Sequence, residues 1–136
     1  MAERIRIRTS ARSQLLDITH EVAAAVRGTG VRDGVAHLWS LHTTCALTVN
    51  EGADPDVASD MVRFLDRLVP RRDDWRHAEG NSDSHVKTSL FGPGLTLLVE
   101  SGELVLGTWQ AVYLAEWDGP RQRTVALTIT AAASGG

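Results

Sequence analysis

The segment from Trp75 to His85 holds the densest group of side chains that could do chemistry. Its eleven residues include His77 and His85 together with two acids, an asparagine and two serines. Imidazole nitrogens and carboxylate oxygens are ligands for divalent metals, and the backbone N–H groups at a helix start can hold a phosphate. The alternative is an ordinary capped loop, because Asn81 and Ser82 are good helix caps and the histidine spacing matches no tight metal motif.

A second polar group, His42-Thr43-Thr44, comes directly after an apolar run, and the next apolar run ends in Asn50-Glu51. An imidazole that titrates near neutral pH, placed beside two hydroxyls, suits ligand binding or acid–base chemistry. The alternative is a hydroxyl-rich turn with a surface histidine. If the two runs form a hairpin, His42 and Glu51 lie at opposite strand ends, so the sequence leaves their pairing open.

Gln110 and Glu116 form a third candidate group. On a strand beginning at Trp109 the even positions share one face, so an amide and a carboxylate flank two apolar residues. A half-buried carboxylate usually has a partner, because burying an unpaired charge is costly. The alternatives are therefore an edge glutamate near water and a glutamate paired with Arg121 or Arg123 across the following turn.

Strands and helices that partly segregate along the chain must position these groups, which predicts an α+β fold. One domain is expected over residues 1–136, with its core at about 4–130 and a frayed tail at 131–136. The predicted strands are 3–8, about 13–16, 35–41, 45–49, 95–100, 103–117 with a break at 107, and 121–130. The turns at 101–102 and 118–120 predict that the last strands form an antiparallel meander.

Three helices are predicted from the 3.6-residue period. The first has Thr19 as its N-cap and ends at Gly28, and the third starts near Asn81 or Ser82 and closes at 92–93. The second starts at Asp54-Pro55, an N-cap followed by a proline at the first helical position, and stops at Pro70. Its predicted buried stripe is Val57, Met61, Phe64, Leu65 and Leu68.

The composition is that of one soluble globular domain, with 136 residues, 43% hydrophobic and 23% charged. A net charge of −3 without a basic cluster argues against nucleic-acid binding, which draws on phosphate neutralisation by Lys and Arg. The single cysteine, Cys45, has apolar neighbours and is expected in the core. With no signal segment and no apolar run of the ~20 residues that span a bilayer, a cytoplasmic protein without membrane contact is predicted.

Several separate motifs resemble those of the YjbQ-like family, also called the secondary thiamine-phosphate synthase family. The resemblance covers about 5–129 in the expected order and spacing. Its motifs are 42–51 (HTTCALTVNE), 53–57 (ADPDV), 77–81 (HAEGN) with His85, 106–110 (LGTWQ) and 116–120 (EWDGP). The resemblance implies a small α+β protein that assembles as a homotrimer, with polar pockets near the subunit boundaries.

The activity that the resemblance implies is a thiamine-phosphate synthase reaction. It joins a pyrimidine methyl diphosphate to a thiazole phosphate and releases pyrophosphate. Low turnover is expected, because diphosphate sites usually gather several Lys or Arg and only Arg76 and Lys87 lie near the histidine cluster. The alternatives are a metal-dependent enzyme acting on another small substrate and a non-catalytic trimer that holds an ion or a phosphate.

Matched motif by motif, the resemblance implies three sets of site residues. The expected ligands of a divalent metal, Mg²⁺ or Zn²⁺, are His42, His77 and His85. The expected catalytic residues, with the glutamates as carboxylate partners or general base, are His42, Glu51, His85 and Glu116. The expected contacts to a small phosphorylated ligand are Thr43, Thr44, Asn50, Asn81 and Gln110 within these motifs, together with Ser82 at the predicted start of the third helix.

Overall fold

The computed structural model describes residues 2–133, which fold into two antiparallel β-sheets and three α-helices. The strands are β1 (Glu3–Arg8), β2 (Gln14–Asp17), β3 (Gly34–Ser40), β4 (Cys45–Glu51), β5 (Gly94–Glu100), β6 (Glu103–Leu104), β7 (Gln110–Glu116) and β8 (Gln122–Ala131). The helices are α1 (Thr19–Gly28), α2 (Pro55–Leu68) and α3 (Ser82–Phe91). The predicted α+β class is confirmed.

The larger sheet has the strand order β1-β8-β3-β5-β6, and the smaller sheet has the order β2-β7-β4. The main core lies between them, where alternate residues such as Ile5, Leu38 and Leu127 meet α1 and the inner face of β4 and β7. A second apolar cluster around Trp117 joins the other face of the smaller sheet to α2 and α3. The opposite face of the larger sheet faces solvent.

The predicted meander of the last strands is wrong. β5 and β6 pair as expected, but β7 lies in the smaller sheet between β2 and β4, and β8 returns to the larger sheet between β1 and β3. The turn at 118–120 therefore carries the chain from one sheet to the other, and the Gly119–Pro120 peptide bond within it is cis. Turn residues indicate that the chain reverses direction, but they do not indicate which strand the following segment pairs with.

The helix predictions hold in part. Asp54 caps α2, since its carboxylate accepts a bond from the Asp56 N–H at 2.9 Å, and α2 ends at Leu68 before the proline at 70. The N-cap position of α1 is Ile18 rather than Thr19, whose hydroxyl instead accepts a bond from the Val112 N–H. No described helix is long and apolar enough to cross a bilayer.

The predicted stripe of α2 is only half right. Leu65 packs against the Trp117 cluster together with Val62, whereas Phe64 and Leu68 remain 52% and 58% exposed. One side of the apolar stripe of α2 therefore packs against the smaller sheet, and the other side is exposed to solvent. At the C-terminus, β8 includes Ala131 from the tail predicted to fray, and residues 134–136 of that tail lie outside the described residues.

Candidate functional site

An open cleft of about 350 Å³ lies where the β3–β4 connection, the start of α3 and the β7–β8 turn meet. It brings together five of the sequence-predicted residues from two separate motifs. The lining residues are Leu41, His42, Thr43, Thr44, Glu79, Asn81, His85, Asp118, Arg121 and Arg123. Polar and charged groups dominate this lining, so the cleft suits a hydrophilic ligand.

The β3–β4 connection is held in place by hydrogen bonds at both ends. The Ser40 hydroxyl donates to the carbonyl oxygen of Cys45 at 2.7 Å and accepts from the His42 N–H at 3.3 Å. The Leu41 N–H donates to the carbonyl of Thr124 on β8. This short connection is therefore a fixed platform for the imidazole of His42, because backbone and side-chain groups on both sides restrain it.

His42 is fixed in one tautomer. Its Nε2 accepts a hydrogen bond from the backbone N–H of Thr124 at 2.8 Å, so in the neutral ring the proton resides on Nδ1. Burial lowers the pKa of His42, and the nearby charges of Arg123 and Arg121 lower it further, against an opposing effect of Glu116. At neutral pH His42 therefore offers an Nδ1–H donor, and its Nε2 is not available as a general base.

Glu116 lies behind the cleft and is fully buried with Arg123. Its carboxylate accepts bonds from Arg123 Nε at 2.8 Å, from Arg123 Nη2, from the Thr9 hydroxyl at 2.7 Å and from the Asp118 N–H at 3.1 Å. Burial alone would raise the pKa of Glu116, but these bonds outweigh burial and lower it. The carboxylate is thus a structural acceptor, and of the two sequence alternatives the pair with Arg123 is the one found.

Arg123 connects the buried ion pair to Thr44, a residue of the cleft lining. Its Nη2 also donates to the Thr44 hydroxyl at 2.9 Å and to the Thr44 carbonyl at 3.3 Å. Thr44 is buried, and its backbone carbonyl also accepts a bond from the Trp117 N–H. Thr44 is therefore engaged within the protein, whereas the neighbouring Thr43 is exposed and lines the cleft.

The start of α3 forms the opposite wall. Asn81 occupies the N-cap position, but its side chain makes no cap bond and instead donates from Nδ2 to the Asp118 carboxylate at 2.9 Å. Its Oδ1 is buried with no hydrogen-bond partner among the described residues. Ser82 is the first helical residue, and His85 in the same first turns faces the cleft. The N–H groups of this turn give the wall a partial positive charge.

Arg121 supplies the accessible cation. Its Nε and Nη2 donate to Asp118, at 2.6 Å to the backbone carbonyl and at 3.1 Å to the carboxylate. The side chain is about half exposed and lines the cleft. Asp118 thus orients both Arg121 and Asn81. A guanidinium in this setting is suited to bind phosphate oxygens.

The other face of α3 anchors the helix. Asp83 pairs with Arg12 at 3.1 Å and with Lys87 at 3.2 Å, and Lys87 also reaches Asp66 on α2 at 2.8 Å. Asp83 and Lys87 are buried, and the Ser84 hydroxyl donates to the Trp117 carbonyl. Lys87, considered from the sequence as a cation near the histidines, is committed to this network and does not line the cleft.

The remaining predicted residues lie elsewhere in the chain. Asn50 and Glu51 lie at the end of β4 that is far from the cleft, and Gln110 on β7 is the register partner of Glu51. Asn50 lies six residue steps after Thr44, which at ~3.4 Å per step is about 20 Å. Their side chains bond to nearby parts of the chain: Glu51 accepts from the Ala53 N–H, Gln110 accepts from the Gly107 N–H, and Asn50 donates to Met61 Sδ on α2.

The three histidines do not form a metal site within one chain. The His77 ring packs edge-to-face against His85 with centroids 5.5 Å apart, and its Nε2 lies 3.6 Å from the Glu79 carboxylate. His42 has one ring nitrogen occupied by Thr124. Within residues 2–133 no three His, Cys, Asp or Glu side chains are grouped closely enough to hold a metal ion. A single chain therefore does not fit the predicted Mg²⁺ or Zn²⁺ ligand set.

Sequence reasoning missed two arginines of the cleft lining, of which only Arg121 has an accessible guanidinium. Arg121 and Arg123 were considered only as partners of Glu116, because their distance in sequence from the histidines gave no reason to place them together. The sheet-switching turn at 118–120 brings them there. Cys45, predicted to lie in the core, is fully buried, and burial raises the pKa of its thiol to about 12.

The sequence of this chain is similar to those of a family of proteins over nearly its whole length. Residues 3–132 match the sequence profile of the family described as UPF0047 protein YjbQ-like. UPF0047 protein YugU of Bacillus subtilis is 45% identical over 125 residues, 91% of this chain and 95% of YugU. A UPF0047 protein of Methanocaldococcus jannaschii is 43% identical over 129 residues, 95% of this chain and 94% of the relative.

Solved structures give the same result for the fold. The crystal structure of an uncharacterized conserved protein of the yjbq/upf0047 family from Clostridium acetobutylicum superposes with a TM-score of 0.91 at 44% identity, covering 94% of this chain and 99% of that one. A conserved hypothetical protein from Thermus thermophilus gives a TM-score of 0.88 at 46% identity, with coverage of 94% and 99%.

Proposed function

This chain belongs to the YjbQ-like UPF0047 family, and from that premise we propose that its cleft binds the phosphate groups of a small ligand in a slow transferase reaction of the thiamine-phosphate synthase type. The observation that carries the binding proposal is that Arg121, the imidazole of His42 and residues at the start of α3 line one cleft. All three groups favour a bound anion.

The proposed reaction needs charge stabilisation rather than a base. The bond between the pyrimidine methylene carbon and the diphosphate oxygen breaks, and its electron pair leaves with pyrophosphate. The lone pair of the thiazole nitrogen forms the new C–N bond, so no proton has to be removed. Donors from Arg121, His42 and His85 would stabilise the negative charge that develops on the leaving group. Because no base is needed, the reaction does not require a free Glu116 carboxylate, and the ion pair of Glu116 with Arg123 is compatible with it.

Low turnover follows from the charges around the cleft. Arg123 is neutralised by Glu116, and Arg121 shares its charge with Asp118. Compensated cations stabilise a departing diphosphate less than free ones, because each retains its interaction with a carboxylate. The same observation favours a second candidate function, a non-catalytic protein that binds phosphate at this cleft.

We also propose a homotrimer, which the resemblance implies and the exposed apolar side chains of α2 support. Phe64 and Leu68 lie one helical turn apart and are both more than half exposed. Assembly offers a way to combine the two groups of predicted residues, since the Asn50-Glu51 end of β4 lies about 20 Å from the cleft of its own chain.

The proposal is tested by calorimetric titration with pyrophosphate, followed by a turnover assay with the pyrimidine methyl diphosphate and the thiazole phosphate. We expect pyrophosphate to bind, Arg121→Gln to weaken binding at least ~10-fold and His85→Ala to lower turnover ~100-fold. His20→Gln removes an exposed histidine of α1 and is the matched control, expected to change neither quantity.

The outcomes separate the two candidates. Binding that depends on Arg121 without product formation identifies the non-catalytic binding protein. Absence of pyrophosphate binding, or equal affinity in the wild type and Arg121→Gln, overturns the phosphate site itself.

A further inference from the structure

We propose that a second cavity binds a small zwitterion of the α-amino acid class, with its ammonium group on Asp66 and its carboxylate on Arg71 and Arg12. This helix-end cavity has a volume of about 480 Å³, within the range of small-molecule sites. It is lined by 11–13 of the β1–β2 connection, Asp66 of α2, 70–71 after α2 and Asp83 of α3. The proposal does not depend on the function assigned to the phosphate cleft.

The helix α3 separates the helix-end cavity from that cleft. Asp83 lines the cavity, whereas His85, two residues further along the helix, lines the cleft. On α2, Asp66 lies on the side opposite Phe64 and Leu68, because two residues turn an α-helix by about 200°. An assembly through the apolar face of α2 therefore leaves Asp66 accessible to a ligand.

Asp66 supplies a carboxylate that is fixed on one side and free on the other. Its Oδ1 accepts a bond from the buried Lys87 Nζ at 2.8 Å, whereas Oδ2 has no hydrogen-bond partner among residues 2–133. The Asp66 side chain is half exposed. Asp66 also lies in the last turn of α2, where the helix dipole adds partial negative charge. This position suits an ammonium group.

Arg71 supplies a guanidinium held in the same way. Its Nε donates to the Gly80 carbonyl at 3.2 Å, and its two Nη atoms have no partner within the described part of the chain. The side chain is exposed. Two adjacent Nη atoms can bind both oxygens of one carboxylate, which is the strong bidentate arrangement.

Arg12 and Ser13 add donors from the β1–β2 connection. Both Nη atoms of Arg12 donate to the Asp83 carboxylate, at 3.2 and 3.1 Å, and leave Nε without a described partner. Asp83 also accepts from Lys87 at 3.2 Å, so its oxygens are occupied and it holds Arg12 in place. The Ser13 hydroxyl bonds to no described residue and lines the cavity.

Opposite charges line this cavity without pairing with each other. Asp66 binds Lys87 and Arg71 binds a backbone carbonyl, but no ion pair joins Asp66 to Arg71. A ligand with a single charge satisfies one of them and leaves the other partly desolvated without a partner, which is costly. A ligand that carries an ammonium and a carboxylate satisfies both. Unpaired charges are common on protein surfaces, but these are each anchored by a bond that leaves other atoms free.

The charge balance of the site also predicts which amino acids bind best. Three cations, Arg12, Arg71 and Lys87, face two carboxylates, Asp66 and Asp83, so these five groups sum to +1. An acidic amino acid should therefore bind more tightly than a basic one.

The test is an NMR titration of the isotopically labelled full chain with L-glutamate, L-alanine and L-lysine at millimolar concentration, with affinities from calorimetry. We expect the amide signals of Ser13 and Arg71 to shift while those of His42 and Arg121 in the cleft stay unchanged. L-Glutamate should bind more tightly than L-lysine. Glutarate, which keeps both carboxylates of glutamate but lacks its ammonium group, should bind at least ~10-fold more weakly.

Two variants test the contacts directly. Arg71→Gln and Asp66→Asn each remove one complementary charge and should weaken L-glutamate binding at least ~10-fold. Arg72→Gln and Asp74→Asn are the matched controls, since both residues are exposed in the loop after α2 and neither lines the cavity. Both controls should bind as the wild type does. Thermal unfolding of each variant confirms that the fold is intact.

The proposal is overturned if none of the three amino acids binds, or if the shifted signals belong to the cleft instead. Equal affinity for glutarate and L-glutamate would show a site for anions only, and tighter binding of L-lysine would contradict the charge balance. Arg71→Gln and Arg72→Gln variants that behave alike would remove the assigned carboxylate contact.

Discussion

Glu116 and Arg123 form a buried ion pair that joins the two sheets, with the carboxylate at the end of β7 and the guanidinium near the start of β8. Through Thr9 and Thr44 the same pair holds the end of β1 and the β3–β4 connection. Four chain segments meet at two side chains. The pair therefore fixes the wall on which the cleft is built, although neither charge is free to act on a ligand.

Removal of one partner should be costly. Glu116→Gln leaves the Arg123 guanidinium buried without a counter-charge, and we expect a loss of about 3–5 kcal/mol in the free energy of unfolding, measured by urea denaturation. The double variant Glu116→Leu with Arg123→Met should lose less than the two single variants together, because no unpaired charge remains. Strict additivity would contradict the pairing. Glu103→Gln, which removes the exposed partner of Arg27, is the control.

The pH dependence of stability should begin with His42. Its pKa is lowered in the folded protein, so the unfolded chain binds the proton more readily, and folding becomes less favourable as pH falls below the ordinary value of 6.5. Protonation of Nε2 also breaks the bond from the Thr124 N–H. Protonation of two carboxylates whose pKa values are lowered in the folded protein removes further stability at lower pH, below about 4.5 for Glu116 and below about 3.8 for Asp83.

His42→Gln separates the contribution of His42 from that of the carboxylates. The glutamine amide oxygen can accept the Thr124 bond, but the glutamine side chain does not titrate. Urea denaturation at about pH 7.5, 6.0 and 5.0 should show a loss of stability for the wild type that the variant lacks, whereas His20→Gln behaves as the wild type. A wild-type curve that stays flat across this range contradicts the assignment.

The strands were predictable because burial alternates visibly in the sequence, as it does at Ile5 and Ile7 of β1. Their pairing was not. The turn at 118–120 carries good reversal chemistry, yet β7 and β8 belong to different sheets. The partner of a strand is decided by the apolar faces that meet in three dimensions, and β8 fits between β1 and β3 because Val125 and Leu127 enter the main core.

The site was predictable only where its residues are close in sequence. The motif containing Asn81 and His85 and the motif beginning at His42 were both identified, and they meet in the cleft. Arg121 was not identified as a cleft residue, since its role depends on the sheet-switching turn and on orientation by Asp118. Asn50 and Glu51 resemble site residues in type, but within one chain they cap the far end of β4.

Asp83 and Asp66 provide a matched comparison at the base of α3. Both carboxylates contact Lys87, but Asp83 is fully buried and also binds Arg12, whereas the Asp66 side chain is half exposed. Asp83→Asn should therefore cost about 3 kcal/mol or more in the free energy of unfolding. Asp66→Asn should cost much less, because solvent can replace its contact. Equal effects in urea denaturation would show that burial does not set the strength of these pairs.

The proposed homotrimer makes a prediction that is independent of the cleft. If the exposed apolar face of α2 is buried between subunits, changing both Phe64 and Leu68 to Gln removes its driving force, and sedimentation equilibrium should shift from three times the chain mass toward the single chain. These side chains contribute little to the core of their own chain, so the far-ultraviolet circular dichroism should persist. Val105→Gln, at another exposed apolar position, is expected to leave the mass unchanged. A wild type that sediments as a monomer, or a double variant that stays trimeric, contradicts the assignment of this face.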